Sequence, residues 1–508
     1  MSDITISKKN EVFAKLICEK HIQKELSEYM TFMVPGHEFQ PDFKNKKWDG
    51  KIRLFNLTTK CLYIGLLYYL EEFCNERNYT IEYDGEKLDV EDEFSLHHTN
   101  KFLTSLNLHA RGSPITAEEH QIKAFQHVMQ RRRALLLSPT ASGKSLIMYC
   151  IVRQLLDYQN LKGLIIVPTT ALVEQMYSDF QDYSSHNGFD VENAAHRIYE
   201  GKSKDSDKKL IISTWQSIYK MPEAYFHQFD YVLGDEAHES KASSAKHILA
   251  SCINTKYRIG LTGTLDGTQT HKLVLEGLFG KVNQVTTTRE LMDKNIVSDF
   301  KIKCLVLNYS EQVCKLLHNK SYQKEIEYII SNTQRNKFIK NLAISLEKNT
   351  LILFNYVDSH GLILYNLIKS SEGIGDRKVF FVHGGVDTDE REYIRSIMEV
   401  ETNAIVIASS GTFSRGTNIR NLHNIIFASP SKSRIRVLQS IGRGLRKSED
   451  KDIATLYDIS DDFRYNKKPN FTLTHFVERV KIYTEEKFPY KFYKISIKDE
   501  QHTNSKTL

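Results

Sequence analysis

The 508-residue sequence has no Cys-x-x-Cys pair, no low-complexity tract and no short-period repeat. Its seven cysteines (Cys18, Cys61, Cys74, Cys150, Cys252, Cys304 and Cys314) are odd in number and scattered. That pattern excludes a disulfide or zinc framework and predicts reduced, mostly buried thiols. Long hydrophobic runs are missing too. Cys61 to Leu70 is short for a bilayer and is interrupted by Gly65 and three tyrosines, so no membrane partner is expected. Met1 to Asn10 is polar and lacks a signal-peptide core, which predicts a cytoplasmic chain, in the host cytoplasm if the source is viral. An excess of one charge is nearly absent: 69 Lys and Arg face 63 Asp and Glu, a net +6. What excess exists lies at the end, where 17 basic residues face 11 acidic ones from Pro430 onward. A basic terminus on a neutral body fits a polyanionic partner without naming it.

Length alone predicts about three domains at roughly 150 residues each. From about residue 115 short apolar runs alternate with helix-length spacers: Ala134–Leu137, Leu164–Val167, Leu210–Ile212, Tyr231–Leu233 and Arg258–Leu261. The rhythm pauses across 283–340 and resumes at Leu351–Phe354, Val379–Val382, Ile405–Ala408, Ile425–Ala428 and Thr455–Tyr457. Such runs are the mark of strands buried in parallel sheets, so the fold class is α/β with two tandem sheets. The expected division is an α+β accessory domain at 1–95, an acidic, polar linker at 96–114, a first lobe at 115–295, a second at 296–460 and a short helical tail at 461–508.

Chemistry enters at Ser138-Pro139-Thr140-Ala141-Ser142-Gly143-Lys144-Ser145, which follows one apolar run and precedes a helical segment. This is the strand–loop–helix setting of a P-loop, whose backbone N–H groups and helix N-terminus attract phosphate oxygens. Lys144 would reach the β- and γ-phosphates of ATP, and the Ser145 hydroxyl would ligate Mg²⁺. Ser138 replaces the first consensus glycine. Asp235-Glu236-Ala237-His238 lies directly after the run Tyr231–Leu233, at the C-terminal sheet edge where metal-binding carboxylates sit. Asp235 would hold the metal and Glu236 would polarise the attacking water. In Gln439 to Arg446, Arg443 and Arg446 are three apart and could deliver charge to the γ-phosphate if the lobes close.

The ordered set resembles a superfamily 2 helicase. It comprises Gln121, Ser138–Ser145, Val167 to Ala171, Thr214-Trp215-Gln216, Asp235 to His238, Leu261-Thr262-Gly263-Thr264, Ser414 to Asn418 and Gln439 to Arg446. Within that superfamily the chain is most similar to the UvsW-type recombination and repair DNA helicases of large tailed phages. Phe43 to Leu54 with its Trp48-Asp49-Gly50, Ile166 to Leu172 and Glu485 to Phe488 carry that likeness. The resemblance implies two RecA-like lobes, ATP and Mg²⁺ as cofactors, and work on forks, Holliday junctions, D-loops and R-loops, the last with RNA–DNA hybrids. Single-strand-binding or recombination proteins are implied partners. Gln121 would recognise adenine, and Gly416 and Asn418 would face the nucleotide. Arg443 and Arg446 would contact its phosphates. Thr169, Thr170, Thr214, Trp215, Asn355 and Thr412 would line the nucleic-acid track. Two departures stand out: Asn418 where relatives carry aspartate, and Gly263 where alanine is usual.

An RNA helicase group shares the Asp-Glu-Ala-His box, but its last motif has arginine and glycine where this chain has Ser440 and Leu445. DNA is therefore favoured over two alternatives, an RNA helicase and the motor subunit of a restriction-type complex. Lys44, Lys46, Lys47, Lys51 and Arg53 surround Trp48-Asp49-Gly50, which suggests a basic hairpin: either one that tracks phosphates while Trp48 packs or stacks, or a merely solvated one with a core tryptophan.

Overall fold

The computed structural model describes every residue except Met1, Val90, Glu200, Ala242, 414–420, 431–432, 446–452 and 499–508. The chain separates into two compact units, Met1–Thr286 and Thr287–Leu508. All seven cysteines are free thiols, and all but Cys18 are buried. No described helix is long and apolar enough to cross a membrane.

The first unit opens with strands β1 (Ile4–Lys8) and β2 (Phe13–Cys18), which pair antiparallel. β3 (Thr31–Met33) and β4 (Lys51–Arg53) form a separate antiparallel pair. β5 (Phe55–Asn56), β6 (Cys61–Tyr63) and β7 (Ile81–Asp84) complete a five-stranded sheet of order β5-β6-β2-β1-β7. Alternation along the strands turns Ile4, Ile6, Ala14 and Leu16 to one face. There they meet Ile22 and Leu26 of the helix Lys20–Tyr29 and Leu67, Leu70 and Phe73 of the helix Leu67–Arg77.

Two expectations change here. Asp49-Gly50 is not the turn of a hairpin: it joins the short helix Pro41–Lys44 to β4, whose partner strand lies far upstream. The amides of Lys47 and Trp48 are held by the Asp42 carbonyl at 2.8 and 3.2 Å, which folds the basic segment into a compact loop. The expected linker is not a linker either. Leu96–Ser105 is a helix capped by Ser95, and its Phe102 and Leu103 are buried in the core of the first lobe. β8 (His109–Ala110) and β9 (Ser113–Pro114) follow as a small hairpin. The acidic stretch before the helix is neutralised by the arginine run: Arg131 pairs with Glu91 at 2.7 Å and Arg132 with Asp92. Its polarity serves docking rather than flexibility.

The first lobe is an all-parallel sheet of β10 (Arg133–Leu137), β11 (Gly163–Val167), β12 (Ala195–Ile198), β13 (Leu210–Thr214), β14 (Tyr231–Gly234), β15 (Tyr257–Thr262) and β16 (Val282–Gln284), in the order β12-β13-β11-β14-β15-β10-β16. The second unit holds β17 (Asp299–Asn308), β18 (Thr350–Phe354), β19 (Val379–Val382), β20 (Ile405–Ser409), β21 (Asn424–Phe427), β22 (Ile453–Asp462) and β23 (Tyr490–Ser496), in the order β19-β20-β18-β21-β22-β17-β23. Each strand of the second sheet takes the place held by the strand seven numbers earlier in the first. The two lobes are one topology used twice, and both sheets are covered by helices as parallel sheets require.

The tail is more than helical. Helix Phe471–Glu485 is fastened to β22 by a buried pair, Arg479 with Asp458 at 2.8 Å, while the Tyr483 hydroxyl donates to the same carboxylate at 2.8 Å. Glu325 caps its N-terminus, accepting the Phe471 and Thr472 amides at 3.0 and 2.7 Å. β23 then adds an edge strand beside β17.

Candidate nucleotide site and nucleic-acid track

Parallel strands bring their loops to one edge, and the order of the first sheet places β10, β15 and β14 side by side. Leu137 lies opposite Thr262, and Gly234 opposite Gly260, so the three motif-bearing loops leave the sheet together.

The loop after β10 is closed from within. Ser138 and Ser142 join hydroxyl to hydroxyl at 2.5 Å, and the Ser142 hydroxyl also donates to the Pro139 carbonyl at 2.6 Å. A serine in place of the first consensus glycine thus adds a strut across the loop. Thr140 and Ala141 form its crest, with Ala141 at φ 68°. Gly143 sits at φ 79°, and a Cβ there would lie 2.2 Å from Gln121 Nε2. The helix Lys144–Arg153 starts immediately after it, with Leu146 to Val152 all buried, so its first N–H groups face the loop. Lys144 Nζ lies 3.3 Å from the Ser138 carbonyl. The Ser145 hydroxyl is paired with the Tyr183 hydroxyl at 2.8 Å.

Gln121, the residue expected to recognise adenine, is hydrogen-bonded to the phosphate loop in this structure. Its amide oxygen accepts the Glu118 N–H at 2.8 Å and its Nε2 donates to the Ser142 carbonyl at 2.9 Å. The neighbouring His120 reaches the same carbonyl at 2.9 Å. Both side chains brace the phosphate loop.

At the end of β14 the Asp235 amide donates to Ile166 at 2.9 Å, holding the carboxylate at the sheet edge. Glu236 follows in the left-handed region at φ 47°, with its N–H donating to Asp235 Oδ1 at 2.9 Å. Burial, reinforced by the charge of Glu236 and opposed by Lys144, pushes the Asp235 carboxyl up to about 6. A buried carboxylate so placed is one that a divalent cation would stabilise, and carboxylate and hydroxyl oxygens such as those of Asp235 and Ser145 are of the hard type that Mg²⁺ takes. His238 Nδ1 lies 3.3 Å from Glu236 Oε2 and 2.9 Å from Thr262 Oγ1. Beyond Thr262, a Cβ on Gly263 would meet Lys144 Nζ at 3.5 Å, an ordinary contact. The usual alanine would fit, so crowding does not explain this glycine.

The residues expected to line a nucleic-acid track follow neighbouring parallel strands within each unit. Thr169 caps the helix Thr170–Tyr183, and Thr214 ends the neighbouring β13 with its hydroxyl 2.8 Å from Ser217 Oγ. Trp215 packs half-buried on the core while Gln216 Nε2 donates to the Pro168 carbonyl at 3.1 Å, tying the two loops. In the second unit Asn355 and Thr412 follow the adjacent strands β18 and β20. The Asn355 N–H donates to Ser429 Oγ at 3.2 Å, and Thr412 Oγ1 accepts from Ser409 Oγ at 2.7 Å. Lys46, Lys47 and Lys51 are exposed on the N-terminal domain and form no ion pair among the described residues, whereas Arg53 is engaged by Asp49. Trp48 donates its Nε1 to the Lys51 carbonyl at 2.8 Å. Gly416, Asn418 and Arg446 lie outside the described residues. Arg443 falls on the helix Arg434–Gly444, with its side chain outside that set.

Tyr183 and His120 join the site without any signal in the sequence. Tyr183 is 38 residues from Ser145, and only the packing of two helices brings the hydroxyls together.

Three family models match the chain: "DNA helicase UvsW, N-terminal" at 3–84, "Type III restriction enzyme, res subunit" at 114–267 and "Helicase conserved C-terminal domain" at 333–448. The ATP-dependent DNA helicase uvsW of Enterobacteria phage T4 is 34% identical over 494 residues, covering 94% of this chain and 96% of that protein. The crystal structure of T4 UvsW matches with a TM-score of 0.52 and 32% identity, over 97% of this chain and 100% of that one. The DNA 3'-5' translocase XPB2 of Sulfurisphaera tokodaii is 23% identical, covering 66% of this chain and 80% of that protein. Similar to the phage protein over 94% of its length, and carrying the phosphate loop and the Asp-Glu-Ala-His box on one edge of its first lobe, the chain belongs to the UvsW family of superfamily 2 DNA helicases.

Proposed function

We propose that this ATP-dependent DNA helicase unwinds or branch-migrates branched DNA, including R-loops, with Mg²⁺–ATP as fuel, in the cytoplasm of a host cell. The observation that carries the substrate reading is the group Lys44, Lys46, Lys47 and Lys51. These lysines are exposed and have no carboxylate partner among the described residues, on a domain packed against the lobe that bears the nucleotide edge. Two DNA arms then have two places to sit, one on the threonine track and one on the lysines. Phosphate contacts of this kind position a duplex without reading its sequence.

In the proposed cycle Lys144 holds the terminal phosphates and the N–H groups of Ser142 to Ser145 cradle them. Ser145 and Asp235 would hold Mg²⁺, which would supply positive charge to offset that of the phosphates. Glu236 orients the attacking water, and its backbone conformation aims the carboxylate. With the Tyr183 hydroxyl as acceptor of the Ser145 O–H, the Ser145 oxygen lone pairs would stay free for the metal.

Charge reversal at Lys46, Lys47 and Lys51 tests the substrate reading. The triple variant should keep ATPase stimulation by single-stranded DNA and lose about tenfold in the rate on forked or four-way DNA. An unchanged rate would show these lysines to be only a solvated surface.

A further inference from the structure

The helix Gln269–Phe279 touches both the nucleotide edge and the N-terminal domain. At its start, His271 Nε2 lies 3.1 Å from the His238 carbonyl, the backbone of the Asp-Glu-Ala-His box. The other ring nitrogen lies 3.1 Å from Asp266, whose carboxylate also takes the Thr268 amide at 2.9 Å. The turn after Gly263 is thereby joined to the box and to the first turn of the helix.

Five residues on, the same helix enters the N-terminal domain. Glu276 is buried, and its carboxylate accepts the Tyr69 hydroxyl at 3.0 Å and the Val282 amide at 3.0 Å. A Cβ on Gly65 would lie 2.1 Å from the Glu276 carbonyl, so the N-terminal domain meets the helix backbone to backbone. Leu273 is buried in the core of the N-terminal domain, whereas Leu275, Leu278 and Phe279 belong to the core of the lobe. His271 and Glu276 are separated by about 7 Å of helix rise. Within one helix that spacing is rigid.

We propose that the helix Gln269–Phe279 transmits the nucleotide state to the N-terminal domain, with His271 and Tyr69 as the positioning residues at its two ends. A shift of the His238 carbonyl when the γ-phosphate arrives or leaves pulls on His271. The helix then moves as a body and carries Glu276, Tyr69 and the strand-to-helix turn around Gly65 with it. The use of that motion rests on the reading of the lysine-bearing domain as a DNA arm; the motion itself does not. Spatial continuity alone is not coupling, so the measurement must see the two ends respond together.

Hydrogen exchange of the full chain with and without a non-hydrolysable ATP analogue supplies it. In the wild type, amides of residues 61–70 should change exchange rate about fivefold or more on analogue binding. In Tyr69→Phe and in His271→Gln that change should vanish, while amides of 138–147 still respond and Tyr69→Phe keeps its basal ATPase. The double variant should lose no more than either single one. A wild-type chain whose residues 61–70 ignore the analogue overturns the proposal, and so do single variants that transmit normally. If transmission is present but charge reversal of the lysines leaves fork processing unchanged, the DNA-arm reading fails and the relay stands.

Discussion

His238 Nδ1 stands 2.9 Å from Thr262 Oγ1, which joins the loop after β14 to the end of β15. Thr262 in turn accepts the Ser138 amide through its own carbonyl at 2.8 Å, at the root of the phosphate loop. The Asp-Glu-Ala-His box, the phosphate loop and the turn at Gly263 are therefore one hydrogen-bonded assembly. Preorganised polar groups of this kind need no rearrangement at the moment of reaction.

Lys144→Ala should reduce ATP hydrolysis on the order of 100-fold or more while leaving DNA affinity close to wild type. Its amine faces the Ser138 carbonyl inside the loop and no track residue. Steady-state ATPase and a DNA-binding titration on the same preparation check both halves.

His360 supplies a pH prediction in the second unit. Burial, aided by Arg335, lowers its proton affinity to about 3, and its ring bonds Ser429 Oγ at 3.1 Å. The folded chain keeps this ring neutral while the unfolded chain protonates it near 6.5, so its contribution to stability is intact above that pH. The contribution is lost progressively as pH falls from about 6.5 toward 3. His360→Gln should flatten the acid limb of the stability curve of the full chain, read by denaturant midpoints at pH 7, 6 and 5.

Gly65→Ala should loosen the N-terminal domain, because the new methyl meets the Glu276 carbonyl at 2.1 Å and backbone cannot give way cheaply. A loss of about 1–3 kcal/mol is expected. Limited proteolysis should then cut near residues 85–93 faster than in the wild type. Deleting residues 1–95 would be a blunter experiment, since it uncovers Leu273 and leaves Arg133 without Glu11, its partner at 3.0 Å.

Most of the nucleotide edge was legible in the sequence because its chemistry is local. A loop of eight residues and a box of four each sit directly after an apolar strand, and strand placement is enough to bring them to one edge. Four strands of the two lobe sheets were not legible. β12, β16 and β23 are edge strands, where water satisfies one side and polar residues such as His196, Asn283 and Lys491 are tolerated. β17 begins Asp299-Phe300-Lys301-Ile302-Lys303, an alternation that reads as a half-exposed strand and not as part of a buried sheet. The linker misreading has a similar cause. Helix Leu96–Ser105 buries little more than Thr99, Phe102 and Leu103, so its polar majority hid its period. The basic loop failed as a hairpin because its strand partner is Thr31–Met33, a pairing that local turn rules cannot see.

ATPase rate of the full chain against forked DNA, linear duplex, single-stranded DNA and RNA of matched length is the most direct test of the central claim. The account predicts strong stimulation by DNA, greatest with the fork, falling steeply as salt rises because phosphate contacts release counterions. Stimulation by RNA equal to or above that by forked DNA would contradict it.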